Sequence, residues 1–170
     1  EKFKKEIEEE YDIKVDKHDL KVDKTGRFAI NEPLVITENF TITSNFIKKA
    51  GNNYILDIGK FISSQVDIEE KEYERTNNIY TIFPRSFEYT INLDIPEGYT
   101  VSGLEKLNVK VENETGSFVS KAEIKDNKLV IVSTKNYINS YEPNANWKKM
   151  IAFLDAAYQF SQEKVLLKKN

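Results

Sequence analysis

The spacing of apolar positions changes period twice along this chain. Phe3, Ile7 and Tyr11 lie four apart among lysines and glutamates, which predicts a short helix over residues 1–11. From Ile13 the period drops to two. Ile13 and Val15, then Leu20 and Val22, alternate with charged residues as a strand with one dry face does. A turn follows at Asp23–Gly26, where glycine is free to take the left-handed conformation. Phe28 and Ile30 resume the pattern, and "LVITENFTIT" sets Leu34, Ile36, Phe40 and Ile42 on one face. The short runs "YILDI" and "KFISSQV" flank Gly59, and "IYTIF" precedes Pro84. Between them "EEKEYERTNN" (69–78), the most polar stretch, reads as a long surface loop.

The most regular alternation is "SFEYTINLDIPEGYTV" (86–101). Phe87, Tyr89, Ile91, Leu93 and Ile95 share one face, which predicts a central strand ending at a Pro-Glu-Gly turn. "LNVKV" alternates, "ENETG" turns, and "SFVSKAEI" and "KLVIVS" flank Asp126-Asn127 as a hairpin. The period returns to helical in "EPNANWKKMIAFLDAAYQFSQEK". There Trp147, Ile151, Leu154 and Tyr158 form a stripe adjoined by Met150 and Phe160, with Pro143 suited to the first turn. "KVLLKK" closes the chain as a last strand or a tail. The sum is roughly nine to eleven strands, read as a sandwich or an open barrel. The expectation is a mainly β fold: a two-layer antiparallel β-sandwich with one long C-terminal helix packed on it and a short N-terminal helix. Residues 1–11 read as a helical junction from a preceding domain and 12–170 as a single sandwich-like domain, with 69–78 as its point of subdivision.

Composition narrows the function. The chain has 170 residues, enough to bury a core without staples, and a formal net charge of −3. That balance carries no basic stripe for nucleic acid, so no nucleic-acid partner is expected. No run of about twenty apolar residues predicts a membrane span, and the charged opening "EKFKKEIEEE" does not read as a signal peptide. Zero cysteine removes thiol catalysis, zinc-thiolate sites and disulfides together.

Candidate chemistry is sparse. His18 sits in "DKHDL", a charged strand context without a nucleophile elbow, and reads as an exposed strand residue rather than a base. Asp12, Asp16, Asp19 and Asp23 look like a calcium ladder, but lysines interleave them and the spacing fits no ligand loop. No glycine-rich phosphate loop occurs, and neither a metal nor a cofactor is expected. Tyr54, Tyr80, Tyr89 and Tyr99 offer a sugar-binding platform, or else fill the core. Arg75 and Arg85 flank the polar loop and the long strand, each a carboxylate ligand or one half of a structural ion pair. With Tyr89 and Trp147 they make up the candidate ligand or docking residues.

The order of features in the second half has a parallel. Arg75 in a polar loop, "LDIPEGYTV", "LEKLNVKVEN", a glycine-centred hairpin, "KLVIVS", "WKKMIAFLDAAYQF" and "EKVLLKK" follow one another. This resembles the C-terminal β-rich domain of unknown function that follows a transglutaminase-like core in large exported bacterial proteins. "IPEGY" and the closing "VLLKK" are the most telling pieces, and "KKEIEEEYDIKV" resembles the junction leaving that core. In that family the chemistry belongs to a papain-like Cys, His, Asp set in the core, and none of it carries over onto these residues. The resemblance implies a non-catalytic accessory domain in an exported or periplasmic protein, with the transglutaminase-like core of the same polypeptide as its partner. A carbohydrate-binding or adhesion module using exposed aromatics is the alternative.

Overall fold

The computed structural model describes residues 2–11, 13–24, 26–42 and 46–170, with the backbone alone at Phe28. The fold is mainly β and built on antiparallel pairing, with a short helix near the N-terminus and one long helix near the C-terminus. None of the described sheets closes into a barrel. The chain divides into two compact units, residues 1–47 and 48–170.

The first unit holds helix α1 (Lys2–Tyr11) and strands β1 (Val15–Asp23) and β2 (Val35–Ile42). The predicted stripe of α1 buries Ile7, half-buries Tyr11 and leaves Phe3 exposed. Glu8 accepts a hydrogen bond from the Val15 amide at 2.9 Å, fixing the turn from helix to strand. β1 and β2 form an antiparallel ribbon in which His18 faces Phe40, Leu20 faces Glu38 and Val22 faces Ile36. His18 is not the exposed residue its charged neighbours suggested. Its Nε2 lies 3.1 Å from Glu38 Oε1, and the ring is largely covered. Local charge in the sequence does not show which cross-strand neighbours cover a side chain. Residues 27–29 make a single 3-10 turn instead of extending the strand pattern. The Phe28 side chain and Asp12 lie outside the described residues. Asp16, Asp19 and Asp23 ride on β1, where Lys21 pairs with Asp23 at 2.8 Å. No metal-binding cluster forms among the described residues.

The second unit runs through β3 (Ile47–Ala50, which begins at the boundary), β4 (Asn53–Leu56), β5 (Ile79–Tyr80), β6 (Arg85–Asp94) and β7 (Tyr99–Ser102). It continues with β8 (Val109–Asn113), β9 (Gly116–Lys125), β10 (Lys128–Tyr137), β11 (Tyr141–Glu142), α2 (Trp147–Ser161) and β12 (Val165–Lys169). One four-stranded sheet has the order β3-β4-β12-β7, the other β6-β10-β9-β8, and β5 and β11 form a small ribbon. "VLLKK" is thus an interior strand rather than a tail. The β9–β10 hairpin turns at Asp126 and Asn127, both with positive φ (49° and 58°), the two-residue connection that strand twist favours.

β6 does not become the central strand its regular alternation suggested. It pairs only with β10 and forms the edge of its sheet. Phe87 is therefore exposed, and Tyr89, Ile91 and Leu93 are half-buried. Alternation reports that one face is drier than the other; it does not report how many neighbours cover the strand. Full burial falls on β10, at Leu129, Ile131, Ser133 and Lys135.

α2 begins after Pro143 and a 3-10 turn at Asn144–Asn146. Its most buried line is Met150, Phe153, Ala157 and Phe160, with Ile151 and Leu154 buried beside it. Trp147 and Tyr158, which the spacing placed in the stripe, are half-buried borders. Phe153 packs edge-on against Tyr137 with centroids 5.4 Å apart, and Phe160 against Phe118 at 5.5 Å. The helix therefore covers the inner face of the second sheet at β8 and β9. Leu154→Ala is expected to cost about 2–5 kcal/mol in urea unfolding, because the cavity it leaves lies in this seam. Lys148 is exposed and bridges Glu74 at 3.6 Å on the surface, so Lys148→Ala is expected to cost under about 1 kcal/mol.

Candidate functional site

The strand registers bring side chains of the inner sheet face into rows. Val109, Ser120, Ser133 and Tyr89 form one row, Val111, Phe118, Lys135 and Phe87 the next, and Asn113, Gly116, Tyr137 and Arg85 the third. α2 covers the β8–β9 side of these rows. On the β10–β6 side the 3-10 turn at Ile58–Phe61 leads into residues that reach two of the rows. Ser63 Oγ hydrogen-bonds Tyr89 Oη, and Gln65 Oε1 accepts a bond from the Lys135 ammonium at 2.8 Å.

Lys135 is the unusual member. It is 6 % exposed, and its ammonium lies 5.4 Å from the Tyr137 ring centroid. The Arg85 guanidinium stands 4.8 Å over the same ring and 5.8 Å from that of Phe87. Among the described residues neither cation forms an ion pair with a carboxylate, while the neutral Gln65 amide takes one ammonium proton. Burial, with the Arg85 charge adding to it, pushes the Lys135 ammonium down to about 8. In the adjoining row the buried Ser120 and Ser133 hydroxyls have no hydrogen-bond partner among the described residues. These rows thus place a buried ammonium and two buried hydroxyls on a face otherwise built for a core, at a cost in stability.

That cost has a pH signature. The unfolded lysine binds its proton up to about pH 10.5, whereas the folded one releases it near 8. Between these values the unfolded chain holds more protons, so stability rises with pH. The Tyr137 phenol works in the opposite sense: burial raises it above 10, so stability falls again once unfolded tyrosine ionises. Chemical denaturation at several pH values is expected to show a gain on the order of 2 kcal/mol from pH 7 to 10, after allowing for solvent screening. Lys135→Met is expected to abolish the gain.

Of the four residues singled out from the sequence, Arg85 and Tyr89 belong to this face, two rows apart on β6. Arg75 and Trp147 lie together elsewhere. Arg75 stands 5.1 Å over the Trp147 ring and gives its Nε proton to the Asn77 carbonyl at 3.0 Å. Trp147 Nε1 donates to the Glu72 carbonyl at 2.7 Å, and the Asn144 side chain reaches the Thr76 carbonyl at 3.0 Å. These bonds tie the predicted surface loop to the start of α2. They surround a shallow cleft of about 190 Å³ between Tyr73, Arg75, Trp147 and Lys148. Because Trp147 and Arg75 are committed to one another and to the loop backbone, this second pair serves chiefly as an anchor.

The tyrosines do not make one platform. Tyr54 and Tyr99 pair at 5.8 Å with a 51° tilt on the first sheet, and Tyr89 is half-buried on the second. Tyr80 is 70 % exposed and stands directly across from Tyr141, 55 % exposed, on the small ribbon. Between this ribbon and Arg85 the chain bends sharply. Ile82 has φ 70°, a strained value for a β-branched residue, and the Phe83 amide bonds back to the Thr81 carbonyl at 2.8 Å. The bend turns Ile82 and Phe83 outward, 69 % and 56 % exposed.

Lys135 escaped the reading of the sequence, although a signal was present. Extending the alternation of "KLVIVS" by two residues puts a lysine on the dry face after Leu129, Ile131 and Ser133. No helix among the described residues is long and apolar enough to cross a membrane. Comparison with curated proteins and with solved structures gave no significant match. A family model described as "Domain of Unknown Function with solved-structure structure" (DUF3858) matches residues 53–167, from the start of β4 into β12. Since that span takes in most of the chain and nearly all of the second unit, the chain belongs to the DUF3858 family.

Proposed function

We propose that this chain is a non-catalytic accessory domain that supports or docks onto a transglutaminase-like or protease-like core in the same exported polypeptide. The observation that carries this reading is the apolar surface on residues 80–87 and 137–141. These segments run side by side through the β6–β10 and β5–β11 registers and expose Tyr80, Ile82, Phe83, Phe87, Ile138 and Tyr141. Exposed apolar side chains gathered on neighbouring segments of a folded domain mark a place that another surface covers. Strain at Ile82 supports it further, since an outward apolar bend has no use to this unit's own core.

The test is hydrogen exchange on this chain alone and joined to the transglutaminase-like domain of its own gene. Slower exchange in 80–87 and 137–141 in the joined protein is the expected result, and unchanged exchange there counts against the reading. A carbohydrate-binding role is the second reading, favoured by the exposed cross-strand pair Tyr80–Tyr141. Glycan-array binding that disappears in Tyr141→Ala would select it instead.

A further inference from the structure

We propose that Lys135 and Arg85 form a receptor for one carboxylate, presented as an Asp or Glu side chain flanked by apolar residues on a partner protein surface. The inference deepens the docking reading and rests on it, naming what the partner offers. Lys135 has one neutral acceptor for three ammonium protons, and Arg85 brings a guanidinium to the same aromatic ring with no carboxylate to neutralise either among the described residues. The buried ammonium lies near the charge of the exposed guanidinium, and the two repel each other in the free domain. A single carboxylate meeting both relieves desolvation and mutual repulsion in one contact.

The surroundings select the form in which the carboxylate arrives. The Arg85 guanidinium stands over the rings of Tyr137 and Phe87, and the exposed Ile82, Phe83 and Ile138 lie in the chain segments that carry Arg85 and Tyr137. A bare anion leaves those apolar groups in water; a protein segment covers them. An acidic side chain set in an apolar segment matches both features. The arrangement is that of an interface anchor: a desolvated charged contact ringed by apolar groups that exclude water.

The test follows the Lys135 ε-methylene signals and the amides of 80–87 by NMR during titration with three probes at equal ionic strength. These are N-acetyl-Leu-Glu-Leu amide, its glutamine counterpart, and acetate. Saturable shifts with the glutamate peptide are expected, with binding at least about tenfold weaker for the glutamine peptide, the size of one charge-assisted hydrogen bond. Lys135→Met and Arg85→Gln are each expected to abolish that preference. Lys135→Met is expected to melt at a higher temperature, since it removes an unpaired buried charge. Arg85→Gln, at an exposed position, keeps the test informative should the other variant fold poorly. Equal binding of both peptides, or no saturable shift, overturns the carboxylate receptor. Acetate binding as tightly as the glutamate peptide overturns the protein segment as occupant. Any of these failures leaves the docking reading itself to the hydrogen-exchange comparison, which does not depend on Lys135.

Discussion

Phe153→Ala is expected to lower the stability of the 48–170 unit by about 3–5 kcal/mol, read as a shift in the urea midpoint without a change in slope. The phenyl ring is fully buried on the sheet-facing side of α2. It packs edge-on against Tyr137, and the space beside it is kept by a residue with no side chain. A Cβ placed on Gly116 would lie 2.6 Å from the Phe153 ring and 2.4 Å from the Asn136 carbonyl. Glycine here is what lets the ring sit against the β9–β10 backbone. Because β9 and β10 are hydrogen-bonded on both sides, they cannot close onto the hole that alanine leaves, which puts the cost in the upper range. The substitution also frees Tyr137, the shared wall beneath Arg85 and Lys135. A loss below about 1 kcal/mol would mean that α2 is not part of this core.

Gly59→Ala is expected to be nearly as damaging, at about 3 kcal/mol or somewhat more, for the opposite reason: it adds a group where none fits. The new Cβ would stand 2.2 Å from the Phe160 carbonyl oxygen and 2.7 Å from the Ser161 carbonyl group, all of them backbone atoms. Gly59 also donates its own N–H to the Glu163 carbonyl at 3.0 Å, tying the turn before residues 63–65 to the chain leaving α2. No side-chain rotation relieves the clash; either the helix end or the turn has to move. Circular dichroism melting checks it, and a melting temperature within about 1 °C of the parent would show that the helix end yields freely. Because Ser63 and Gln65 follow this turn, the variant is also expected to loosen the contacts of Tyr89 and Lys135.

How much of this was legible in the residues differs from element to element. Period and turn chemistry are local, so α1, the β9–β10 hairpin with Asp126-Asn127, the Pro-Glu-Gly turn and α2 could all be read directly. The buried face of α2 lies one position from the stripe its spacing predicts, because Trp147 and Tyr158 are amphipathic. Their rings are apolar enough to extend a stripe, yet their polar atoms draw them to its border. The two candidate arginines could not be told apart by sequence, since what an arginine pairs with is set by segments far away in the chain. Register and loop anchoring separated them, placing Arg75 on Trp147 and Arg85 on Tyr137.

Residue type and spacing alone settle the set of elements: mainly strands, one long amphipathic helix, and the turns at residues whose backbone preferences demand them. These follow from interactions within a few residues, so they are written in spacing and residue type. Which strand becomes an edge, which glycine admits a helix, and which lysine loses its water are decided by pairings between segments far apart in the chain. β6 is an edge because no described strand pairs on its side away from β10. Gln65 comes onto the Lys135 ammonium from a segment seventy residues away, and β6 sets Phe87 opposite Lys135 and Arg85 two residues further on, where an acid would have paired it. Tertiary structure alone turned an ordinary strand lysine into a buried one with a neutral acceptor.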